Sequence, residues 1–436
     1  MSLIIKMKAF SEIRNGYKLI QQDKAGYFFL FFQLVIFSSL VKYFQTDWFL
    51  VLNFGIAFVF SYWRTKFINM THLHWIALVC FIVFLFPILL SGINYLYFGY
   101  FLRILTGYFI VYSLKDKFVE YYHNLLFILA LISIVLFTIQ IIDINLYSVF
   151  EKFSDLVLNS DRRRPGVEGI THKYLILYLV NGWATNRNSG FMWEPAAFGA
   201  VLAWAMIFNL FIYKFKINIK LIVLLIALLT TYSVGAYTYL LLLLVIYLLE
   251  NRFNLKYYFI IFSFIGLGLY TLTQTHLLDT QFEMMLNKVD NEPEQIDEVM
   301  KNENLYNRVS RVVGFYTNWE YFKAFPIGYG FIESKGQYNL LAMTPNGLMV
   351  IMVRWGILGS GLIFILFRYG VVYLKRKYFN KIKLIPFILM IGAMILPFAG
   401  NPFDNQPFLF ALLLFPLWRT EGNRLNSTAT LKVSTY

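Results

Sequence analysis

The chain has 436 residues, of which 59% are hydrophobic, 20% are aromatic and only 14% are charged. Soluble globular domains carry about 25% charged residues, so this composition excludes a cytosolic enzyme, a disordered chain and a fibrous repeat. The net charge is +14, from 38 basic and 24 acidic residues. In a chain this apolar the charge indicates membrane topology, and we expect no nucleic acid partner.

Twelve apolar runs predict transmembrane helices, because crossing a hydrocarbon core of about 30 Å takes roughly 20 helical residues. The predicted spans are residues 27–43, 48–63, 73–92, 96–114, 122–142, 195–213, 218–232, 236–250, 257–274, 346–373, 383–399 and 406–418. Several of these runs are short, which leaves a margin of about one hairpin in the count. The predicted fold class is an all-α polytopic membrane bundle with two long outer loops.

Basic residues indicate that both termini are cytoplasmic, because Lys and Arg accumulate in short cytoplasmic segments. With the amino terminus inside, more than half of the basic residues fall in predicted cytoplasmic segments, and those outside all fall in two loops. The predicted divisions are a cytoplasmic segment at 1–26, helices one to five at 27–142, an outer loop at 143–194, helices six to nine at 195–274, a large outer loop at 275–345, helices ten to twelve at 346–418 and a cytoplasmic tail at 419–436.

The large outer loop combines two kinds of sequence. Its acidic part, 279–303, predicts a solvated helix pair, and its later part carries paired arginines, Arg308 and Arg311, followed by aromatic residues that include Trp319 and Tyr329. Aromatic rings stack on sugar faces and guanidinium groups pair with phosphate oxygens, so this part suits a sugar with an anionic group. The alternative interpretation is a folded cap held together by aromatic packing.

Glu194 is the most informative acid, because Pro195 follows it directly. Proline disfavours helix at the preceding residue and is well placed at the first helical position, so the sixth span should begin at Pro195 with Glu194 at its cap. The helix dipole keeps a carboxylate there ionised, which favours a proton acceptor. The alternative interpretation is a structural cap without chemistry.

Arg103 and Arg354 lie inside predicted spans, where a charge costs at least about 2.5 kcal/mol and usually marks a site. Arg103 in the fourth span and Arg354 in the tenth should both lie roughly 10–12 Å below the outer surface, from a rise of 1.5 Å per residue. At one depth they can line a single anion pocket. Alternatively, each side chain reaches outward to the interface.

The sequence offers no cofactor motif. The histidines and the single cysteine, Cys80, form no metal-ligand spacing, and there is neither a P-loop nor a dinucleotide fingerprint. We therefore expect no cofactor and metal-independent chemistry, with arginine neutralising any pyrophosphate.

The pattern Arg-x-x-Gly-Phe-x-x-Glu-Pro, from Arg187 to Pro195, resembles the segment before a middle span in O-antigen and exopolysaccharide polymerases of the Wzy type. The run Pro326-x-Gly328-x-Gly330 is similar to the same family. The resemblance covers residues 187–375, and the amino-terminal half matches in hydropathy alone.

A third segment is similar to the related O-antigen ligases. In those enzymes a catalytic His is followed by a polar residue, nine residues, Gly, two residues and a small residue. Asn346, Gly356 and Gly359 keep this spacing, but Pro345 stands where the ligases have His. This departure favours a polymerase over a ligase.

The resemblance implies a metal-independent glycosyltransferase of the large helical membrane class in the bacterial inner membrane. It would join glycan units on undecaprenyl pyrophosphate at the outer face, with membrane lipids around it and a chain-length regulator as a candidate partner. In that reaction Glu194 would be the general base. The pyrophosphate would be held by Arg187, Arg308, Arg311, Arg103 and Arg354, with Tyr329 beside it. A ligase and a lipid-linked oligosaccharide transporter stay open as alternatives.

Overall fold

The computed structural model describes residues 23–36, 46–150, 152–154, 173–180, 186–251, 311–331, 347–400 and 406–417. It is mostly helical. The α-helices within these ranges are α1 (Lys24–Phe31), α2 (Asp47–Thr65), α3 (Met70–Ser91), α4 (Tyr95–Leu114), α5 (Phe118–Ile142), α6 (Pro195–Ile212), α7 (Ile219–Leu229), α8 (Val234–Asn251), α9 (Arg311–Ala324), α10 (Gly347–Tyr378), α11 (Leu384–Gly400) and α12 (Pro407–Leu414).

Five helical stretches of the described chain are long and apolar enough to cross a membrane: Met70–Leu89, Tyr95–Ile142, Pro195–Ile212, Val234–Asn251 and Gly347–Tyr378. Shorter apolar helices are Lys24–Ile36, Ile219–Leu229, Leu384–Phe398 and Pro407–Leu417. These helices confirm an all-α protein embedded in a membrane. The count of twelve spans stays a prediction, and the predicted span at 257–274 and the acidic segment at 279–303 lie outside the described residues.

Local sequence explains where several helices begin and end. Asn69, Asn94 and Asn218 are N-caps whose side chains accept a hydrogen bond from a first-turn N–H. Proline occupies the first turn of both α6 and α12, where its missing N–H costs nothing. Short polar turns between the apolar runs therefore define the bundle.

Helix α6 lies at the centre of the bundle. It contacts α5, α7, α8, α10 and α11, and 94% of its residues are buried. Trp204 on α6 donates from Nε1 to the carbonyl oxygen of Met394 on α11, at 2.9 Å. A helix enclosed in this way has little freedom to shift, so the residue at its amino-terminal end has a fixed position.

Polar contacts gather the helix termini into two ends of the bundle. At one end, which we call the basic end, Arg64 pairs with Asp23, Lys377 lies 3.8 Å from Glu120, and the Lys383 N–H donates to Glu250. The opposite end, the loop end, carries the segments 186–194 and 311–331. This grouping agrees with the alternating path predicted from the charges, while the side of the membrane on which each end lies stays a prediction.

The basic end also contains a buried cation. Lys220, in the first turn of α7, is 3% exposed, and its Nζ donates to Asn124 Oδ1 at 2.6 Å. The topology prediction counts Lys220 among the basic residues of the cytoplasmic segments, and the structure places its side chain inside the bundle. The cause is a polar network at the basic end, in which Asn218 also pairs with Asn209 on α6.

The first predicted outer loop has a small core of its own, and it contains a two-stranded antiparallel sheet, β1 (Lys173–Tyr174) and β2 (Leu179–Val180). Phe137, Tyr147, Tyr178 and Val180 pack together. Tyr178 donates to Gln140 Oε1 on α5 at 2.7 Å, so the hairpin is held against the end of that helix.

We expect the ion pair between Asp23 and Arg64 to stabilise the basic end. Asp23→Asn keeps the side-chain shape but removes the charge, and it should lower the free energy of unfolding by about 1–3 kcal/mol, as for a hydrogen bond to a charged group. The matched control is the exposed neighbour, and Lys24→Gln should leave the unfolding temperature in detergent unchanged.

This stabilisation should depend on pH in a defined direction. Burial alone would raise the pKa of Asp23, but hydrogen bonds from Arg64, Tyr121 and the Gly26 N–H hold that pKa well below its ordinary value. The contribution is therefore complete above the unfolded pKa of about 3.9 and is lost as the pH falls through the folded value. The difference in unfolding temperature between the native chain and Asp23→Asn should shrink below about pH 4. A difference that stays constant in acid would contradict this assignment.

Candidate functional site

Glu194 lies at the amino-terminal end of α6, as predicted. Its backbone is extended, with φ −155° and ψ 156°, and the helix begins at Pro195. The Phe198 N–H donates to the Glu194 carbonyl oxygen at 3.1 Å. Among the described residues, no first-turn N–H donates to the Glu194 carboxylate. The side chain is half-buried and does not cap the helix.

Arg187 lies in the turn that leads into α6 and reaches the turn between α7 and α8. Its Nε donates to the carbonyl oxygen of Thr231 at 3.0 Å, and the side chain is half-buried. This hydrogen bond fixes the position of the guanidinium group at the loop end.

Asn188 holds this turn in place, and the sequence analysis did not identify it. Its side chain is fully buried, and Nδ2 donates to Thr230 Oγ1 at 2.9 Å and to Ser133 Oγ at 3.3 Å. Asn188 Oδ1 accepts from the Gly190 N–H at 2.9 Å, and the Gly190 carbonyl oxygen accepts from the Leu179 N–H at 2.7 Å. The turn is thereby fastened to α5, to the α7–α8 turn and to the hairpin. The only local signal for it is an Asn two residues before a Gly.

The second part of the loop end is a break in α10. Gly356 has φ 61° and ψ −161°, so the helix is interrupted there. The segment 326–331 fills the break: the Tyr329 N–H donates to the Val353 carbonyl oxygen and the Gly330 N–H to that of Arg354, both at 2.9 Å. In return, the Ile357 N–H donates to the carbonyl oxygen of Pro326 at 2.8 Å. We call this contact the glycine junction.

Glycine is required on both sides of the glycine junction. A Cβ at Gly328 would lie 2.6 Å from the backbone N of Gly356, and a Cβ at Gly356 would lie 2.5 Å from the carbonyl oxygen of Pro326. Gly328, Gly330 and Gly356 all have positive φ. Two of the segments that resemble the polymerase and ligase families, 326–330 and 346–359, therefore meet through their glycines.

Aromatic side chains surround the glycine junction. Phe331 packs edge-on to Trp355 of α10, with ring centroids 5.2 Å apart, and Tyr97 and Tyr100 of α4 contact both rings. The Phe331 N–H donates to the Tyr97 hydroxyl oxygen at 3.2 Å. We call Phe84, Tyr97, Tyr100, Phe331 and Trp355 the aromatic cluster. The sequence pattern did not identify Phe84, Tyr97, Tyr100 or Trp355, because they come from three helices.

Arg354 belongs to the glycine junction. Its guanidinium carbon lies 4.8 Å from the centroid of the Phe331 ring, within the range of a cation–π interaction. Its carbonyl oxygen accepts the Gly330 N–H. The side chain is half-buried.

Arg103 lies on α4, one turn after Gly99. One of its guanidinium nitrogens is 3.8 Å from the position of a Cβ built on Gly99, one turn closer to the loop end, and Leu50 of α2 lies beside the same position at 3.6 Å. The guanidinium group therefore lies beside the preceding turn of α4. A single pocket shared by Arg103 and Arg354 stays a prediction.

The remaining predicted residues lie in or beside the second outer loop. Tyr329 is half-buried and contacts Phe325, with ring centroids 5.3 Å apart. Arg311 begins α9, which ends directly before the glycine junction. The side chain of Arg311 and the whole of Arg308 lie outside the described residues.

Within the ranges that the structure describes, no group of three His, Cys, Asp or Glu side chains could hold a metal ion. The chain matches no protein family, no curated protein and no solved structure.

We expect Gly356→Ala to disrupt the glycine junction, because the new methyl group would overlap the backbone of segment 326–327 at a positive φ. At φ 61° and ψ −161° a residue other than glycine is strained by about 1–3 kcal/mol. Thermal unfolding in detergent should shift to lower temperature by several degrees.

The same helix offers a matched control for this substitution. A Cβ at Gly361 would contact nothing within 4 Å, and Gly361→Ala should be neutral or stabilising by up to about 1 kcal/mol. Equal unfolding temperatures for the two variants would contradict the role given to the glycine junction.

Proposed function

We propose that this protein is a polymerase of surface glycans that joins oligosaccharide units carried on undecaprenyl pyrophosphate, at the outer face of a bacterial inner membrane. The proposal rests on the resemblance of segments 187–195, 326–330 and 346–359 to the polymerase and ligase families. The observation that carries it is Glu194, a carboxylate fixed at the amino-terminal end of a buried helix whose side chain does not cap that helix.

The proposed reaction requires a base and a site that binds an anion. The hydroxyl oxygen of the acceptor sugar attacks the anomeric carbon of the donor, and the bond from that carbon to the pyrophosphate oxygen breaks. Glu194 would take the acceptor proton, and the pyrophosphate leaves as an anion. Glu194 stands at the positive end of the α6 dipole, where a carboxylate is stabilised.

Arginine would stabilise the leaving pyrophosphate. Arg187 is fixed in the turn that leads to Glu194, and Arg354 stands at the glycine junction, which belongs to the same end of the bundle. Arg308 and Arg311 are included in the proposed anion site because of their positions in the sequence. Arginine can supply this charge without a metal, because its fork-shaped donors match phosphate oxygens.

The central experiment compares two isosteric substitutions in cells that lack the native gene. Glu194→Gln should abolish the ladder of long glycan on a gel while single units still reach the surface, because the amide cannot accept the proton. The control is Glu320→Gln, which changes an exposed glutamate whose partner is Lys323; this variant should keep the full ladder. A normal ladder with Glu194→Gln would remove this residue from the mechanism.

Arg354 gives an independent test. Arg354→Ala should reduce polymer by about 100-fold, the loss typical for one group that stabilises an anionic leaving group. Arg354→Lys keeps the charge but loses the planar fork and should restore only part of the activity. Measuring rates with purified protein and its lipid-linked repeat unit separates this effect from expression. Equal rates for the native chain and Arg354→Ala would contradict the anion site.

The alternatives predict different phenotypes on deletion of the gene. A polymerase leaves single units on the surface, and a ligase leaves polymer that is not attached to its terminal acceptor. A transporter leaves lipid-linked units on the inner leaflet of the membrane, and that result would exclude both transferases.

A further inference from the structure

An apolar groove runs along the bundle below the glycine junction. It lies between α3, α4, α10 and α12 and encloses a cavity of about 340 Å³. Its lining includes Val79 and Phe84 of α3, Tyr100 of α4, Trp355 and Leu362 of α10, and Phe410 of α12. A volume of this size falls within the range of pockets that bind small organic ligands.

The groove runs along the helices, as a lipid chain does in a membrane, and its length is comparable with that of such a chain. Along α3 its lining extends from His72 near the basic end to Phe84 near the loop end, which is about 18 Å of helix. Only 22% of the apolar stretch of α3 is buried, and large apolar side chains such as Phe81 and Leu78 are exposed on it. In a membrane these side chains face lipid, so the groove lies at the lipid boundary of the bundle.

Part of the aromatic cluster forms the end of the groove that is nearer the loop end of the bundle. Phe84, Tyr100 and Trp355 line the groove and also contact one another, and Phe331 packs on Trp355. Arg354 stands over the other part of this cluster, against Phe331. A ligand whose apolar chain fills the groove therefore brings its head group to the glycine junction.

A buried donor points to a ligand at the same place. Trp355 is 3% exposed, and its Nε1 has no hydrogen-bond partner among the described residues. A buried N–H without a partner is unfavourable, and an oxygen atom of a ligand bound beside Trp355 would supply the missing acceptor.

We propose that this groove binds the polyisoprenoid chain of the lipid-linked substrate and directs its pyrophosphate to Arg354; the proposal rests on the proposed function. One groove accepts one chain, and a polyprenyl pyrophosphate has one chain on its head group, whereas a glycerophospholipid has two. The flat isoprene units pack against the aromatic rings that line the groove.

Native mass spectrometry of the full chain in detergent tests this assignment, with undecaprenyl pyrophosphate as the probe. Val79→Trp fills the groove from α3 and should weaken binding at least tenfold. The matched control is Leu78→Trp, on the adjacent and 46% exposed residue that does not line the groove, and it should bind like the native chain. Leu362→Trp fills the groove from the opposite wall and replaces Val79→Trp if that variant does not fold.

Competition identifies the part of the probe that binds. Farnesyl pyrophosphate should displace undecaprenyl pyrophosphate, whereas inorganic pyrophosphate should need a much higher concentration. Equal displacement by phosphatidylglycerol would overturn the proposal in favour of a general lipid contact. Native affinity in both groove-filling variants would overturn it as well.

The outcome is separable from that of the proposed function. A normal glycan ladder with Val79→Trp, together with unchanged binding, overturns the groove and leaves the polymerase. Groove-dependent binding together with a normal ladder for Glu194→Gln removes the proposed base and leaves the groove.

Discussion

The structure of the loop end depends on which groups form hydrogen bonds with the backbone of α10 where this helix is interrupted. Gly356 interrupts α10, and each backbone N–H or C=O that such a break leaves unpaired inside a membrane would cost several kcal/mol. Segment 326–331 supplies the partners through three backbone hydrogen bonds. Only glycine allows the two backbones to approach this closely. The break and the segment are therefore one structural unit, although about 25 residues separate them in sequence.

The central helix imposes the second constraint. Helix α6 is enclosed along its length, and at the basic end Asn209 of this helix pairs with Asn218 and contacts His123. At the loop end, the turn before α6 is fastened through Asn188 to two neighbouring elements. The position of Glu194 at the start of this helix is therefore fixed, although its carboxylate accepts no hydrogen bond from the first-turn N–H groups. A fixed position of this kind is what the proposed role of Glu194 as a base requires.

Local rules made part of this architecture predictable. The start of α6 follows from the backbone limits of Pro195, and long apolar helices follow from the thickness of a membrane, so the helix start and the helical membrane class agree with the structure. The aromatic cluster and the glycine junction depend on contacts between residues far apart in the chain, and no local pattern encodes such contacts. Lys220 shows the same limit. A lysine between apolar runs is expected to be solvated, and only its contacts with Asn124 and Tyr213 in the structure show that it is buried.

Arg354 links these constraints to the proposed function. Its carbonyl oxygen holds Gly330, and its guanidinium stands over Phe331, so one residue contacts the 326–331 segment through both its backbone and its side chain. The position of the cation is therefore coupled to the position of the outer loop. If the segment leaves the break, the backbone of α10 loses its partners and the cation loses its aromatic platform in the same step. A cation placed in this way is ordered before any anion binds, which is the condition under which a fixed charge stabilises a leaving group most effectively.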